Sequence, residues 1–349
     1  MRTKEDLRQY QALPLDLKIS LTQRRIRDWV NYWGTSGVYV SFSGGKDSTV
    51  LLHMVRELFP EVEAVFVNTG LEYPEIQQFV KSFDNVTILR PKMRFDEVIK
   101  THGYPLISKK VGKGIEYYRK GSKWAVNAMN GNHCITGEPC DFSKNMYGKW
   151  KPITEMPFMV SDKCCLVMKE TPMQQFVRQT GKKPITALLA TESHRREQAW
   201  LRTGCNAFDS KNPMSKPMSF WTEQDVLQYI KKYNIPIASV YGEVVEETQV
   251  KYDGVNVVVQ TQLFETGAQL KTTGCDRTGC IFCAFGCHLE KEPSRFQRLR
   301  KTHPRQYEYC IGGGEYDENG VWKPNKQGLG MGHVFDEMNK IYGEGFIKY

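Results

Sequence analysis

No apolar run in this chain approaches the ~18–20 residues needed to cross a bilayer, so a helical membrane protein is not expected. The opening residues, Met1-Arg2-Thr3-Lys4-Glu5-Asp6, lack the apolar core of a secretory signal, and a cytoplasmic protein with no membrane partner is expected. Internal repeats and low-complexity segments are missing, which argues against solenoids and linkers. With 25% charged and 40% hydrophobic residues, the composition is not that of a disordered chain. What is present is 349 residues, enough for one large core or a core plus a smaller domain. The net charge of +9 favours anionic partners. Ten cysteines in a chain of this size, without a signal, read as reduced thiols or metal ligands rather than as a disulfide framework.

Periodicity predicts the organisation. Leu15, Ile19, Ile26, Trp29 and Trp33 recur at helical spacing, and Gly34 and Gly37 end that segment. Val38-Tyr39-Val40, Ala64 to Val67 and Val86 to Leu89 read as strands, separated by helices that carry Leu51, Met54 and Leu58, then Ile76, Phe79 and Val80. Pro60 closes the first of these helices, and Pro74 suits the first turn of the second. Residues 103–163 break the rhythm. Thr171-Pro172 reads as an N-cap and first turn, Ile185 to Ala190 as a buried strand, and Thr222 to Asp225 as a capped helix start. Asp253-Gly254 and Asn319-Gly320 read as hairpin turns. Strands alternating with helices imply a doubly wound parallel α/β sheet. The expected division is an N-terminal helical segment (1–34), an α/β nucleotide domain (35–240) with an insertion at 103–163, and a cysteine-bearing C-terminal part (241–349).

Residues 41–49, Ser-Phe-Ser-Gly-Gly-Lys-Asp-Ser-Thr, stand between the first strand and the first helix of the sheet. Glycines let the backbone turn tightly and present N–H groups, and the helix N-terminus adds its positive dipole end. Ser43 and Ser48 add hydroxyls. Such a loop suits an anion, most simply pyrophosphate. It is neither a Walker loop nor the three-glycine dinucleotide fingerprint.

Ser-Gly-Gly-Lys-Asp-Ser after a strand resembles the PP-loop of the adenine nucleotide alpha-hydrolase group, and further segments follow in that group's order. Asn68-Thr69-Gly70-Leu71-Glu72-Tyr73-Pro74-Glu75 resembles its Asp-Thr-Gly…Pro-Glu segment, with Asn68 where the family has Asp. Tyr104 to Lys110 resembles a segment near the nucleotide. Glu192-Ser193-His194-Arg195-Arg196 resembles Glu-Ser-x-x-Arg. Trp221, Asp225, Ile235 and Pro236 match the stretch of the phosphoadenylyl-sulfate (PAPS) reductase branch. The resemblance covers roughly residues 35–290. It implies a Rossmann-like fold and an adenine nucleotide, either ATP or adenylyl/phosphoadenylyl sulfate. Ser41, Ser43, Gly44, Gly45, Lys46, Asp47 and Ser48 would hold it, with Asn68, Thr69, Gly70, Glu192 and Ser193. Lys46 and Arg196 would offset phosphate charge, and Asp47 would orient the loop or a Mg²⁺.

Cys275, Cys280, Cys283 and Cys287 have the spacing of a metal site, and on spacing alone zinc and iron–sulfur stand level. Cys164-Cys165, with a following Lys and Pro and a distant Cys-x-x-Cys, resembles the [4Fe–4S] pattern of adenylyl-sulfate reductases. That resemblance implies Cys164, Cys165, Cys280 and Cys283 as ligands, with Cys275 and Cys287 as alternates. Arg277 to Cys283 also resembles iron–sulfur relatives of DNA phosphorothioation. Cys134, Cys140, Cys205 and Cys310 read as ordinary thiols. The Glu-Cys-Gly-x-His motif of sulfonucleotide reductases is missing; Cys310 stands in Tyr-Glu-Tyr-Cys-Ile-Gly instead.

Residues 108–151 hold nine Lys/Arg against three acids, with Tyr117, Tyr118, Trp124, Tyr147 and Trp150 interleaved. A second basic stretch covers 291–305. Basic residues neutralise phosphates and aromatics stack bases, so DNA or RNA is one expected partner and a lid over a nucleotide the other reading. Three functions are expected from these features. The first is an ATP-cleaving sulfur-transfer enzyme with a cluster and a sulfur donor. The second is a reductase releasing sulfite with a thioredoxin-like reductant. The third is a non-catalytic nucleotide- and nucleic-acid-binding protein with structural zinc.

Overall fold

The computed structural model describes residues 2–247, 251–253, 256–258 and 269–349. It forms two compact units that interleave along the chain. The first comprises Met1–Val67, Tyr73–Leu89 and Gln175–Thr278, the second Asn68–Glu72, Arg90–Gln174 and Gly279–Tyr349. Among the described residues no helix is long and apolar enough to cross a membrane.

In the first unit the N-terminal region is two helices, α1 (Lys4–Gln11) and α2 (Leu15–Trp33), because Pro14 stands between them. Ile19, Ile26, Trp29 and Val30 of α2 are buried, and Gly34 caps it at φ +78°, donating its N–H to the Val30 carbonyl. Strand β1 (Val38–Ser41) leads through the glycine loop into α3 (Lys46–Leu58). Then come β2 (Ala64–Val67), α4 (Pro74–Lys81), β3 (Val86–Leu89) and β4 (Lys183–Ile185), followed by α5 (His194–Thr203), β5 (Asn206–Ala207), β6 (Met214–Ser215) and α6 (Glu223–Tyr233). The sheet order is β3-β2-β1-β4-β6-β5. All its pairs are parallel except the edge pair β5–β6. Val38, Tyr39 and Val40 are buried, as a central parallel strand covered on both faces requires. Because β2 and β4 flank β1 on opposite sides, the winding reverses at β1. That crevice is where open α/β sheets bind ligands.

Two expectations fail here. The apolar run from Ile185 to Ala190 is not one strand: β4 ends at Ile185, and Ala190–Glu192 form a short 3₁₀ turn. A short apolar run does not distinguish a buried strand from a loop that lines a cavity. Thr171 is not an N-cap. Lys163–Cys165, the π-turn Leu166–Glu170 and the helix Thr171–Thr180 follow one another directly, and the Thr171 hydroxyl donates to the Leu166 carbonyl. The capping box at Thr222 is as expected, with Asp225 as its N3 partner.

Asp225 has a second role. Its carboxylate takes the Lys18 ammonium at 2.7 and 2.8 Å, and both side chains are buried. Removing one partner strands a charge away from water. Asp225→Ala is therefore expected to destabilise the protein by about 3–5 kcal/mol, read as a lower denaturation midpoint. A midpoint unchanged within error would refute it.

The second unit turns the 103–163 region into helices, at Lys109–Arg119, Lys123–Met129 and Asp141–Met146. Leu106–Ile107 pairs in parallel with Ala284–Phe285. The C-terminal helices Arg295–Thr302, Pro304–Ile311 and Met331–Tyr342 bury Phe296, Leu299, Val334, Phe335 and Met338. The Asn319-Gly320 turn joins the antiparallel strands Glu315–Tyr316 and Trp322–Lys323. Lys251–Asp253 pairs antiparallel with Asn256–Val258, while the Gly254 turn itself lies outside the described residues.

Candidate functional site

The C-terminal ends of β1 and β4 line a cavity of about 320 Å³. Its wall includes Ser41, Ser43, Gly45, Lys46, Asp47 and Ser48 from the glycine loop, Thr186 to Leu188 after β4, and Glu192 and Arg196. Tyr241, Arg277 and Thr278 complete it. The loop is organised by its own hydroxyls. The Ser43 N–H donates to Ser48 Oγ at 3.2 Å, the Gly45 N–H to Ser43 Oγ at 3.3 Å, and the two serine oxygens stand 3.0 Å apart. Gly44 takes φ +71°, and a Cβ there would meet the Cγ2 atoms of Ile76 and Val80 on α4 at 2.8 Å. Only glycine combines that backbone with that clearance.

Charges of both signs meet in this cavity. The Lys46 ammonium is buried, 2.8 Å from Glu223 Oε1, and also donates to the Asp276 carbonyl. Its backbone N–H donates to the Tyr241 hydroxyl at 3.3 Å, and that hydroxyl lies 2.6 Å from Thr278 Oγ1. Burial raises the Asp47 carboxyl above its ordinary range, against the pull of Lys46. Glu192 pairs with both Arg196 and Arg277. Burial, together with the neighbouring Arg277, lowers Arg196. Of the residues expected at the nucleotide, Gly44, Asn68, Thr69, Gly70 and Ser193 are not in this wall. Ser193 caps α5, accepting the Arg196 N–H. Asn68, Thr69 and Gly70 belong to the second unit, where Asn68 accepts the Gly70 N–H and Thr69 bonds to Glu72 through its N–H and its hydroxyl. Sequence reasoning missed Tyr241, Arg277 and Thr278 as wall residues. A lone Arg-Thr pair between cysteines gives no signal of its own.

The second unit brings Cys164, Cys165, Cys280 and Cys283 within electrostatic range of one another. In the adjacent pair the thiol–thiol hydrogen bond leaves the proton on Cys164 and lowers Cys165 to about 6, with Lys109 and Lys169 supporting its thiolate. Burial lifts Cys280 to about 11. Lys169 loses by burial but gains more from Cys280 and Glu72, and rises to about 12. Its ammonium stands 3.4 Å from Glu72. Cys287, buried and raised to about 12, feels Cys283, whereas Cys275 belongs to the first unit. Cys310 is fully buried and donates to Met331 Sδ at 3.5 Å. Among the described residues no three His, Cys, Asp or Glu are arranged to hold a single metal ion. The donor chemistry nevertheless fits an iron–sulfur cluster: four thiols, Cys164 buried and the other three half-buried, with two lysines hydrogen-bonded to Cys165 and Cys280.

A family model for the phosphoadenosine phosphosulfate reductase domain matches residues 37–120 and 139–285. The chain belongs to that family. Among curated relatives, the adenosine 5'-phosphosulfate reductase of Staphylococcus haemolyticus is 24% identical over 224 residues, covering 62% of this chain and 70% of that protein. The uncharacterized protein MJ0973 of Methanocaldococcus jannaschii is 36% identical over 73 residues, which are 20% of this chain and only 18% of that protein. A solved structure of phosphoadenylyl-sulfate reductase from Candida auris, in a phosphate complex, aligns with a TM-score of 0.36 at 16% identity, over 68% of this chain and 91% of that one. As a member of the PAPS reductase family, the chain has the doubly wound α/β sheet that its strand alternation implies.

Proposed function

We propose that this chain is a cytoplasmic sulfur-chemistry enzyme that binds ATP at the β1 switch point and cleaves it between the α and β phosphates. As pyrophosphate leaves, AMP is joined to an oxygen of a nucleic-acid acceptor; sulfur from a separate sulfur donor then takes that oxygen's place, AMP departing with it, and a [4Fe–4S] cluster would be held by Cys164, Cys165, Cys280 and Cys283. The observation that carries this reading is the cavity lined by the glycine loop, Arg196 and Arg277. The loop amides, Ser43 and Ser48 would bind the pyrophosphate moiety, with α3 contributing its N-terminal dipole. Lys46 and Arg196 would offset charge that develops on the leaving pyrophosphate. Asp47 would orient the loop or a Mg²⁺. When bound, the cluster supplies electron-transfer and sulfur-handling chemistry. Lys109 and Lys169 then balance the negative charge of its thiolates.

The acceptor assignment is supported by charge. Every Lys and Arg in 108–151 is exposed. Two of the expected contacts are spoken for, however. Arg119 donates to the carbonyls of Ile153, Thr154, Met156 and Phe158, and Trp150 is buried against Tyr342 and Phe346. The exposed lysines, joined by Arg298, Lys301 and Arg305, remain as phosphate contacts.

A second reading, sulfite release from adenylyl or phosphoadenylyl sulfate, is favoured by the staphylococcal relative. It needs a nucleophilic thiol, and the buried Cys310 is poorly placed to be one. One set of assays on anaerobically purified protein separates the two. ATP-dependent pyrophosphate release that rises with added tRNA or duplex DNA, in protein containing iron, is the expected result. Sulfite from the sulfonucleotides with thioredoxin would establish the second reading. Colourless protein that contains zinc and turns over neither nucleotide would overturn both.

A further inference from the structure

The cavity wall carries three cations, Lys46, Arg196 and Arg277, and two carboxylates, Asp47 and Glu192, while Glu223, outside the wall, pairs with Lys46. As it stands, each of these cations is already engaged by a protein carboxylate: Lys46 by Glu223, and Arg196 and Arg277 by Glu192. A nucleotide tail bearing two or more negative charges would therefore have to compete for these cations, and gains a full contact only where a carboxylate gives up its partner. Lys46 is poorly suited to the exchange. It is buried, and both Glu223 and the Asp276 carbonyl hold its ammonium. The arginines differ, because they share one carboxylate. Arg277 is the more open of the two, with its side chain 65% exposed against 36% for Arg196. Glu192 is itself anchored, since it also accepts the Leu189 N–H at 3.3 Å. It can therefore stay in place while a guanidinium leaves it.

We propose that Arg277 grips the terminal anionic group of the bound nucleotide, and that Glu192 holds the guanidinium until that group replaces it. The proposal rests on the reading that this cavity takes an adenine nucleotide. An arginine matches a phosphoryl or sulfuryl group with two parallel N–H donors, which a lysine cannot do. The exchange makes Arg277 a specificity residue. It rewards ligands with charge beyond the α-phosphate and is indifferent to AMP.

Equilibrium binding of ATP, AMP and inorganic pyrophosphate to the full chain tests this, with R277Q, R277K and E192Q alongside. R277Q is expected to weaken ATP and pyrophosphate about tenfold or more while AMP stays within about twofold, and R277K should recover only part of the loss. E192Q should bind pyrophosphate at least as tightly as the natural protein, because it frees both arginines. A purely structural ion pair predicts weaker binding there. Equal losses for ATP and AMP in R277Q, or no loss for either, would overturn the proposal and leave the nucleotide reading intact. If the natural protein binds none of the three ligands, the nucleotide reading fails and this proposal with it.

Discussion

Gly44→Ala is expected to weaken nucleotide binding by about 30-fold or more, while Gly45→Ala keeps most of it. The two glycines are neighbours in sequence but not in kind. Gly44 sits at φ +71°, which costs a residue with a Cβ about 1–2 kcal/mol. Its added methyl would lie 2.8 Å from Ile76 Cγ2 and Val80 Cγ2, both buried on α4. Overpacking of that sort costs about 1–3 kcal/mol more. The cheapest relief is for the loop to move away from α4, and that displaces the Ser43 amide, the Ser43–Ser48 contact and the start of α3 together. Each 1.4 kcal/mol is about tenfold in affinity, so the combined cost amounts to roughly 30- to 4,000-fold. Gly45 has ordinary φ, and its Cβ would meet side-chain oxygens, Ser43 Oγ and Tyr241 OH, at 3.2 Å. Those need give by only a few tenths of an ångström. Calorimetric titration with ATP, with melting curves to confirm folding, distinguishes the pair. A folded G44A protein that binds ATP normally would remove the loop from the site.

Most of that loop is legible in sequence because its determinants are local. A strand, two glycines and a helix start within a dozen residues fix both the turn and the direction of the amides. Pro74 and the Thr222 capping box are legible for the same reason. The far wall is different. Tyr241 reaches Lys46 and Thr278 across sequence separations that periodicity does not see. The 103–163 segment reads as irregular because lysines and glycines dilute its apolar pattern. Yet Val111 and Ile115 bury one face of a helix there, and Gly112 and Gly114 let Ser161 and Tyr147 approach. Arg119 reads as a nucleic-acid contact from its charge alone, and only the fold reveals the four carbonyls it serves. The cysteines fall between these cases. Spacing identifies six candidates, and the fold separates them by placing Cys275 in the first unit and the other five in the second.

That separation sets up the second large effect. Protein purified without oxygen is expected to hold about four irons per chain, and Cys280→Ser or Cys165→Ser to lose them together with the brown absorbance. The reason is the donor set rather than packing. Serine keeps the volume of either site but does not supply a thiolate, and a cluster with three soft ligands is exposed to loss at its open corner. Cys134→Ser is the control, since that residue sits in the 132–140 turn of the insertion, is only half-buried, and leaves the four thiols untouched. Cys287→Ser and Cys275→Ser decide the alternates, because a ligand role for either requires its serine variant to bleach. Should Cys280→Ser keep its iron while Cys287→Ser loses it, the adjacent pair and the Cys-x-x-Cys would not be the ligand set. Retention of zinc, with no iron in any variant, would assign these thiols a structural ion instead, and the sulfur chemistry would need another source of electrons.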